Sequence, residues 1–402
     1  MTVTDTADRL AALGETVRLL WPEPARVTFG RSGGHVLVPD ARRPRMLLPA
    51  HDRGAAVAAL RAYGRVESRA ARLVTAGLVW SFRTGLAGVL LRHRARVDVP
   101  AGADTIETHL GEALGRRVVV ALYVRPAARA NDKPVLQALA PGGPPVAFVK
   151  VGVNDLTRAL VRAETAALHT VATAALRTVR VPEVLHAGRW RGLDVLALSP
   201  LPVWEPRHPV GEARLTEALR EIAGVAGVRR HRLAASPYWS ALHERVAALP
   251  DGGGALRPAL EALGERRGGV EQAFGSWHGD FTPWNMAGLR DGLLVWDWER
   301  FATGVPLGFD ALHLRLQRAV SAPGADAREA AATLVREAPA VLAPLGVPAG
   351  DAPVTALLYL AELAVRYLAD RQAEAGARLG DVGSWLLPVL AAGARTVERD
   401  DG

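Results

Sequence analysis

The residues best suited to chemistry lie in one string, His278-Gly279-Asp280-Phe281-Thr282-Pro283-Trp284-Asn285. Moving a phosphoryl group onto a hydroxyl needs a carboxylate to orient the hydroxyl or accept its proton. It also needs oxygen ligands for a Mg²⁺ ion bridging the nucleotide phosphates. An Asp followed five residues later by an Asn, on a tight loop containing Pro, supplies both types of group. Beyond it, Leu293–Trp296 reads as a short apolar strand running into Asp297-Trp298-Glu299. Asp297 lies seventeen residues after Asp280, far enough for a β-ribbon to turn and bring a second carboxylate back.

A second signal is compositional. Of the 49 basic residues, 47 are Arg and two are Lys, Lys133 and Lys150. A chain drifting toward Arg keeps Lys mainly where a compact ammonium serves and a broad guanidinium fork does not. Both lysines fall in one short β-rich segment. Lys150 lies in Ala147-Phe148-Val149-Lys150-Val151, and Lys133 closes the loop between the first two strands of that segment. The alternative for Lys133 is a solvated loop lysine. Further on, Leu160, Glu164 and Leu168 share one face of a predicted helix, and a glutamate on an apolar face needs a partner.

The elements that must position these groups are readable from periodicity and turn chemistry. Val118–Val124, Val135–Ala140 and Val146–Val151 read as a three-stranded meander, followed by a helix over Asp155–Leu176. Two more strands are expected near Val184–Ala187 and Leu193–Leu198, before Pro200-Leu201-Pro202 leads into a mainly helical remainder. Upstream, Asp104 with Glu107 reads as a capping pair opening a helix to about Leu114. Residues 1–103 form an additional α+β region of unassigned role, 104–200 a sheet lobe and 201–402 a helical lobe. In the first region Arg26–Gly30, His35–Val38 and Met46–Leu48 read as strands, and Asp52–Tyr63 and Glu67–Leu91 as helices.

Charge and composition narrow the function classes. The absence of cysteine excludes disulfides, thiolate metal sites and a cysteine nucleophile. The opening MTVTDTADRL has no basic segment followed by an apolar one, so a cytoplasmic enzyme is expected. Up to Arg116 the chain carries 17 Arg against 11 acidic residues, yet no nucleic-acid-binding motif accompanies them. Leu73–Leu91 is largely apolar but interrupted by Arg83, which at mid-span would cost at least ~2.5 kcal/mol. The expectation is a helix buried against its own region. The flanking arginines leave contact with a membrane surface through residues 67–96 as the alternative.

His-Gly-Asp-x-x-x-x-Asn followed by Asp-Trp-Glu resembles the catalytic and metal motifs of aminoglycoside phosphotransferases, choline kinases and related small-molecule kinases. The resemblance covers roughly residues 117–400 and implies a two-lobed, protein-kinase-like α+β fold with the N-terminal region added to it. It also implies an ATP- and Mg²⁺-dependent phosphotransferase acting on a small-molecule or glycan-like acceptor with a hydroxyl group. By this resemblance Asp280 is the catalytic base, and Asn285 and Asp297 hold the metal. Lys150 contacts the nucleotide phosphates and is paired with Glu164, and adenine lies along Leu198–Val203, with Leu201 at its centre. Asp310 braces the catalytic loop, and His278 packs and hydrogen-bonds rather than moving protons. Trp284 either closes part of the acceptor pocket or packs under the loop. The turn from Arg125 to Lys133 contains no glycine, so the Gly-rich phosphate cradle of protein kinases is absent. The reading from another class is a nucleotide-binding pseudokinase that acts as a scaffold.

Overall fold

The computed structural model describes residues 3–40, 44–62, 69–124, 130–251 and 253–397. The fold is α+β. The described residues fall into two compact units, one drawn from 1–127, 132–165 and 182–206, the other from 128–131, 166–181 and 207–402.

The first unit is built on strands β1 (Arg26–Gly30), β2 (His35–Val38), β3 (Met46–Pro49), β4 (Arg94–Asp98), β5 (Val119–Tyr123), β6 (Val135–Leu139) and β7 (Pro145–Gly152). The two-residue β8 (Val179–Arg180) belongs to the second unit, and β9 (Val184–Trp190) and β10 (Leu193–Leu198) return to the first. They form one antiparallel sheet in the order β1-β4-β2-β3-β5-β6-β7-β10-β9. Met46 and Leu47 of β3 pair with Tyr123 and Leu122 of β5, so strands from residues 26–98 and from 119–198 share one continuous ladder.

The burial of β2 and β3 explains why they read as unbroken apolar strings. Every residue of His35–Val38 and Met46–Pro49 is buried, because the sheet is covered on both faces. Leu37 and Leu47 join one core with Leu13, Val17 and Trp21 of the N-terminal segment, which includes helix α1 (Val3–Leu20). Their neighbours Val36, Val38, Met46 and Leu48 face the other core, beneath helix α2 (Arg53–Ala62) and Phe82. The period-two alternation of a strand sends successive side chains to opposite cores.

Two expectations of this region change. From Arg69 the chain is helical only to Thr84 (α3), breaks at Gly85 with φ +81°, and resumes as the four-residue α4 (Ala87–Leu90). Residues 67 and 68 of the expected helix, and 125–129 of the glycine-free loop, lie outside the described residues. The expected Asp104/Glu107 cap is replaced by a Thr105/Thr108 capping box opening α5 (Ile106–Ala113). The two acids are used elsewhere. Asp104 accepts from Trp190 Nε1 at 2.6 Å, and Glu107 accepts from the Val120 amide at 3.0 Å.

His35 is buried at the start of β2, with Trp21 edge-on at 5.8 Å and His51 at 5.4 Å. Neither of its ring nitrogens has a hydrogen-bond partner among the described residues. Burial, helped by the nearby His51, pushes its pKa down to about 4 from 6.5. Below pH 6.5 the unfolded chain therefore takes up a proton that the folded chain refuses until about pH 4. Stability is full above that window and falls by on the order of 3 kcal/mol across it. His35→Phe should flatten this acid limb in urea midpoints measured against pH. An identical limb in the variant would remove His35 as its source.

The second unit holds helices α7 (Glu212–Ala223), α8 (Pro237–Ala247), α9 (Leu256–Arg267), α10 (Phe309–Val320), α11 (Ala327–Leu342), α12 (Ala352–Ala369) and α13 (Val382–Thr396). Its strands are β11 (Arg229–Arg232), β12 (Glu271–Trp277), β13 (Met286–Leu289), β14 (Gly292–Val295) and β15 (Ala302–Pro306). They make two three-stranded sheets, β11-β12-β15 and β13-β14-β8. By length and composition α12 could cross a membrane, but 72% of it is buried inside the fold, where it packs on α9, α10, α11 and α13.

Candidate active site

In the first unit the structure brings Lys150 and Glu164 together. Lys150 sits on β7, a central strand whose neighbours present Val135 and Leu196 opposite it. The chain then turns sharply into helix α6 (Asp155–Ala172). A Cβ on Gly152 would lie 2.7 Å from Arg158 Cα, so only glycine lets the strand end approach the helix start so closely. The side chains of Asn154 and Thr157 fix that entry, with the Thr157 amide donating to Asn154 Oδ1 at 2.9 Å. Leu160 and Leu168 bury one face of α6, and Glu164 lies fully buried between them. The Lys150 ammonium donates to both Glu164 oxygens at 2.6 and 2.7 Å.

Lys133 is buried beside the start of β6, so it is not a solvated loop lysine. Leu201 follows β10, and its carbonyl accepts from the Val203 amide at 2.7 Å. That carbonyl is thus already engaged within the segment expected to line adenine.

In the second unit Asp280, Asn285 and Asp297 belong to one hydrogen-bonded loop system. Strand β12 delivers His278, and the next residue must be glycine. Gly279 has φ +83°, and a Cβ there would stand 2.2 Å from the Arg300 carbonyl. A turn closes with the Asn285 amide donating to Thr282 O at 3.0 Å, and the β13–β14 hairpin begins at the next residue. The hairpin register returns the chain so that the Trp296 amide donates to Asn285 O at 3.1 Å. Asp297 follows directly in the left-handed region, φ +67° and ψ +55°, at the same end of the hairpin as Asn285.

His278 ties these segments together. Its Nδ1 accepts from the Asp280 amide at 3.1 Å, which leaves Nε2–H to donate to the Trp296 carbonyl at 3.1 Å. Burial pushes its pKa down to about 4, so it is a neutral strut. Asp310, at the start of α10, accepts from the His278 amide at 2.6 Å and the Gly279 amide at 3.0 Å. Both serve the bracing roles expected of them.

The carboxylate of Asp280 is held at both oxygens. Oδ2 accepts from Asn285 Nδ2 at 2.7 Å, and Oδ1 accepts from His313 Nε2 at 3.0 Å. His313 lies outside the His-Gly-Asp motif and its metal partners. With Nε2–H given to Asp280, its Nδ1 accepts from the Tyr359 hydroxyl at 2.9 Å. Burial lowers the His313 pKa and raises that of Tyr359, which keeps both neutral. For Asp280, burial pushes upward. The His313 hydrogen bond, with the positive charge of Arg366 beside it, outweighs this and holds the carboxyl below the ordinary aspartate value. Arg366 also donates to the Gly279 carbonyl at 2.7 Å and lies over the Trp277 ring.

The donor set fits a magnesium ion better than a protein-only metal cage. Asn285 Nδ2 donates to the carboxylate and the backbone carbonyl of Asp280, so the amide oxygen is the atom it can offer a cation. Among the described residues no cluster of three His, Cys, Asp or Glu side chains could hold a metal. Two hard oxygen donors completed by phosphate oxygens and water is the usual arrangement for Mg²⁺. Three acids of the C-terminal region, Glu362, Asp370 and Glu374, each lie beside an arginine. Glu362 is gripped by Arg245 at 2.5 and 2.7 Å, Asp370 pairs with Arg300, and Glu374 lies 3.9 Å from Arg371.

No protein-family model matches the chain, and no curated protein matches it by sequence. In structure it is similar to kinases that act on small molecules. One is a thermostable mutant of an aminoglycoside phosphotransferase in a ternary complex with ADP and hygromycin B. It is 15% identical, with 74% of this chain and 99% of that one covered, at a TM-score of 0.43. Another is a spectinomycin phosphotransferase with ADP and spectinomycin, at 12% identity, 73% and 97% coverage and a TM-score of 0.39. A third is a choline/ethanolamine kinase family protein from Mesorhizobium loti, at 17% identity, 65% and 82% coverage and a TM-score of 0.34.

Proposed function

We propose that this protein transfers the γ-phosphate of ATP to a hydroxyl of a small-molecule or glycan-like acceptor, using Mg²⁺. The observation that supports this reading most is the immobilised carboxylate of Asp280, pinned by His313 on one oxygen and Asn285 on the other. A base poised to strip a proton before transfer would need a raised pKa. Asp280 has a lowered one, which suits a carboxylate that orients the acceptor hydroxyl. Orientation is what a loose phosphoryl-transfer transition state chiefly requires. The hydroxyl oxygen forms a bond to the γ-phosphorus as the bond to the β,γ-bridging oxygen breaks. ADP leaves, and Asp280 receives the hydroxyl proton late.

Asn285 and Asp297 would hold the metal, which when bound neutralises charge on the phosphate oxygens. Lys150, oriented by Glu164, would bind the phosphates, with Lys133 nearby in sequence and Leu201 flanking adenine. Incubation with γ-labelled ATP and a panel of hydroxyl acceptors tests the activity. Metal dependence tests the site separately: tight ATP binding should require a divalent cation, and Asp297→Ala should abolish the Mg²⁺-dependent part of the affinity. A wild-type binding isotherm unmoved by EDTA would sink the metal assignment.

A further inference from the structure

Among the described residues, nothing covers the outer, apolar side of α3 and α4. Leu73 is 74% exposed, Val89 72%, Leu90 62% and Trp80 57%, with Val74 and Leu86 also exposed. Leu73 and Trp80 are two helical turns apart and stand on one face of α3. The opposite face carries Phe82, which is buried in the core over α2, with Leu78 and Val79 packed against that core. The expected packing of the helix against its own region is thus made by this inner face, while the outer face stays exposed. Gly77 lies between Leu73 and Trp80 on the exposed side, and a Cβ there would meet nothing within 4 Å. No contact among the described residues calls for glycine at this point, although it weakens a helix by about 1 kcal/mol relative to alanine.

The sequence through this segment is basic. From Arg69 to Val97 the sequence holds six Arg and no Asp or Glu. Arg83, Arg92 and Arg96 are exposed. Isolated exposed apolar residues need no explanation, but six between residues 73 and 90, in a stretch with arginines and no acids, do. The break at Gly85 makes the segment too short and too interrupted to span a bilayer. Its composition is that of a helix lying in the plane of an interface, with Trp and Leu inward and arginines reaching out to anionic headgroups. A protein partner would need a matching apolar surface bordered by acids. A second copy of this chain would bring its own arginines against these.

We propose that α3 and α4 dock the protein onto the surface of membranes containing anionic lipids. The face binds by shallow insertion of Leu73, Trp80, Val89 and Leu90 and by attraction of the segment's arginines. This does not depend on the reading of Asp280.

Sedimentation of the purified full chain with vesicles tests it, comparing phosphatidylcholine alone with phosphatidylcholine containing about one part in three phosphatidylglycerol. Partitioning should be at least about tenfold stronger on the anionic vesicles and should weaken with added salt. The double variant Leu73→Glu, Val89→Glu changes only exposed positions. It should keep the wild-type melting temperature while losing about tenfold or more of the vesicle binding. Equal partitioning to both vesicles, no partitioning to either, or a double variant that binds as well as wild type each overturns the proposal. So does a dimer in analytical ultracentrifugation that the double variant dissociates while vesicles bind neither protein. That result assigns the face to a second copy.

Discussion

Asp280→Asn should reduce phosphate transfer by about 10²–10⁴-fold while leaving nucleotide affinity within a few-fold of wild type. The structure gives a reason why the variant should keep its geometry. Asn285 Nδ2 also donates to the Asp280 backbone carbonyl at 3.0 Å, a bond the substitution does not touch. An Asn at 280 can keep its oxygen toward Asn285 and turn its amide toward His313. His313 then accepts at Nε2 and donates from Nδ1 to Tyr359, whose hydroxyl can accept as readily as it donates. What disappears is the negative charge that orients the acceptor hydroxyl and receives its proton. Single-turnover transfer and nucleotide titration should therefore separate cleanly. Near-wild-type turnover of the variant on its acceptor would falsify the role of Asp280.

The parts of this site that are legible in the sequence are those made by local chain geometry. Asp280, Asn285 and Asp297 lie on one loop and one hairpin, so spacing alone implies that they meet. Glu164 is legible because a glutamate in line with Leu160 and Leu168 faces the sheet. His313 comes from α10 and Tyr359 from α12, and the hydrogen bonds from Tyr359 to His313 and from His313 to Asp280 depend on helix packing rather than on loop spacing. One signal was available for His313: it stands one turn after Asp310, on the same face of a helix whose first acid braces the loop.

The N-terminal elements divide in the same way. Arg26–Gly30 and His35–Val38 announce themselves by turn residues and apolar runs, whereas Arg94–Asp98 does not. With arginine at alternate positions it looks like surface, and it becomes a strand because β1 and β2 pair with it on either side. The cap of α5 shows tertiary competition directly. Asp104 and Glu107 fit the local rule, but Trp190 and the Val120 amide are further partners that draw them away and leave the cap to Thr105 and Thr108.

The second large effect is expected at Lys150. Its ammonium and the Glu164 carboxylate are almost fully shielded from water, at 8% and 0% side-chain exposure. Removing one partner of such a pair takes away the opposite charge that offsets the other's burial, a loss of about 3–5 kcal/mol. Lys150→Met should therefore lower unfolding stability by roughly that amount. Adding Glu164→Gln to it should recover much of the loss, because the charge left behind is gone. That cycle measures the structural part of the pair. Lys150→Arg separates the functional part. It keeps the charge and can still grip Glu164 with two parallel bonds, so it should fold. A planar guanidinium nevertheless cannot occupy the position of a compact ammonium. If that ammonium is a phosphate contact, the Arg variant should show an ATP KM raised at least about tenfold, or kcat lowered by a similar factor, with stability near wild type. If instead it turns over ATP as wild type does, Lys150 and Glu164 form a purely structural pair, and the retention of Lys in a chain of arginines needs another cause.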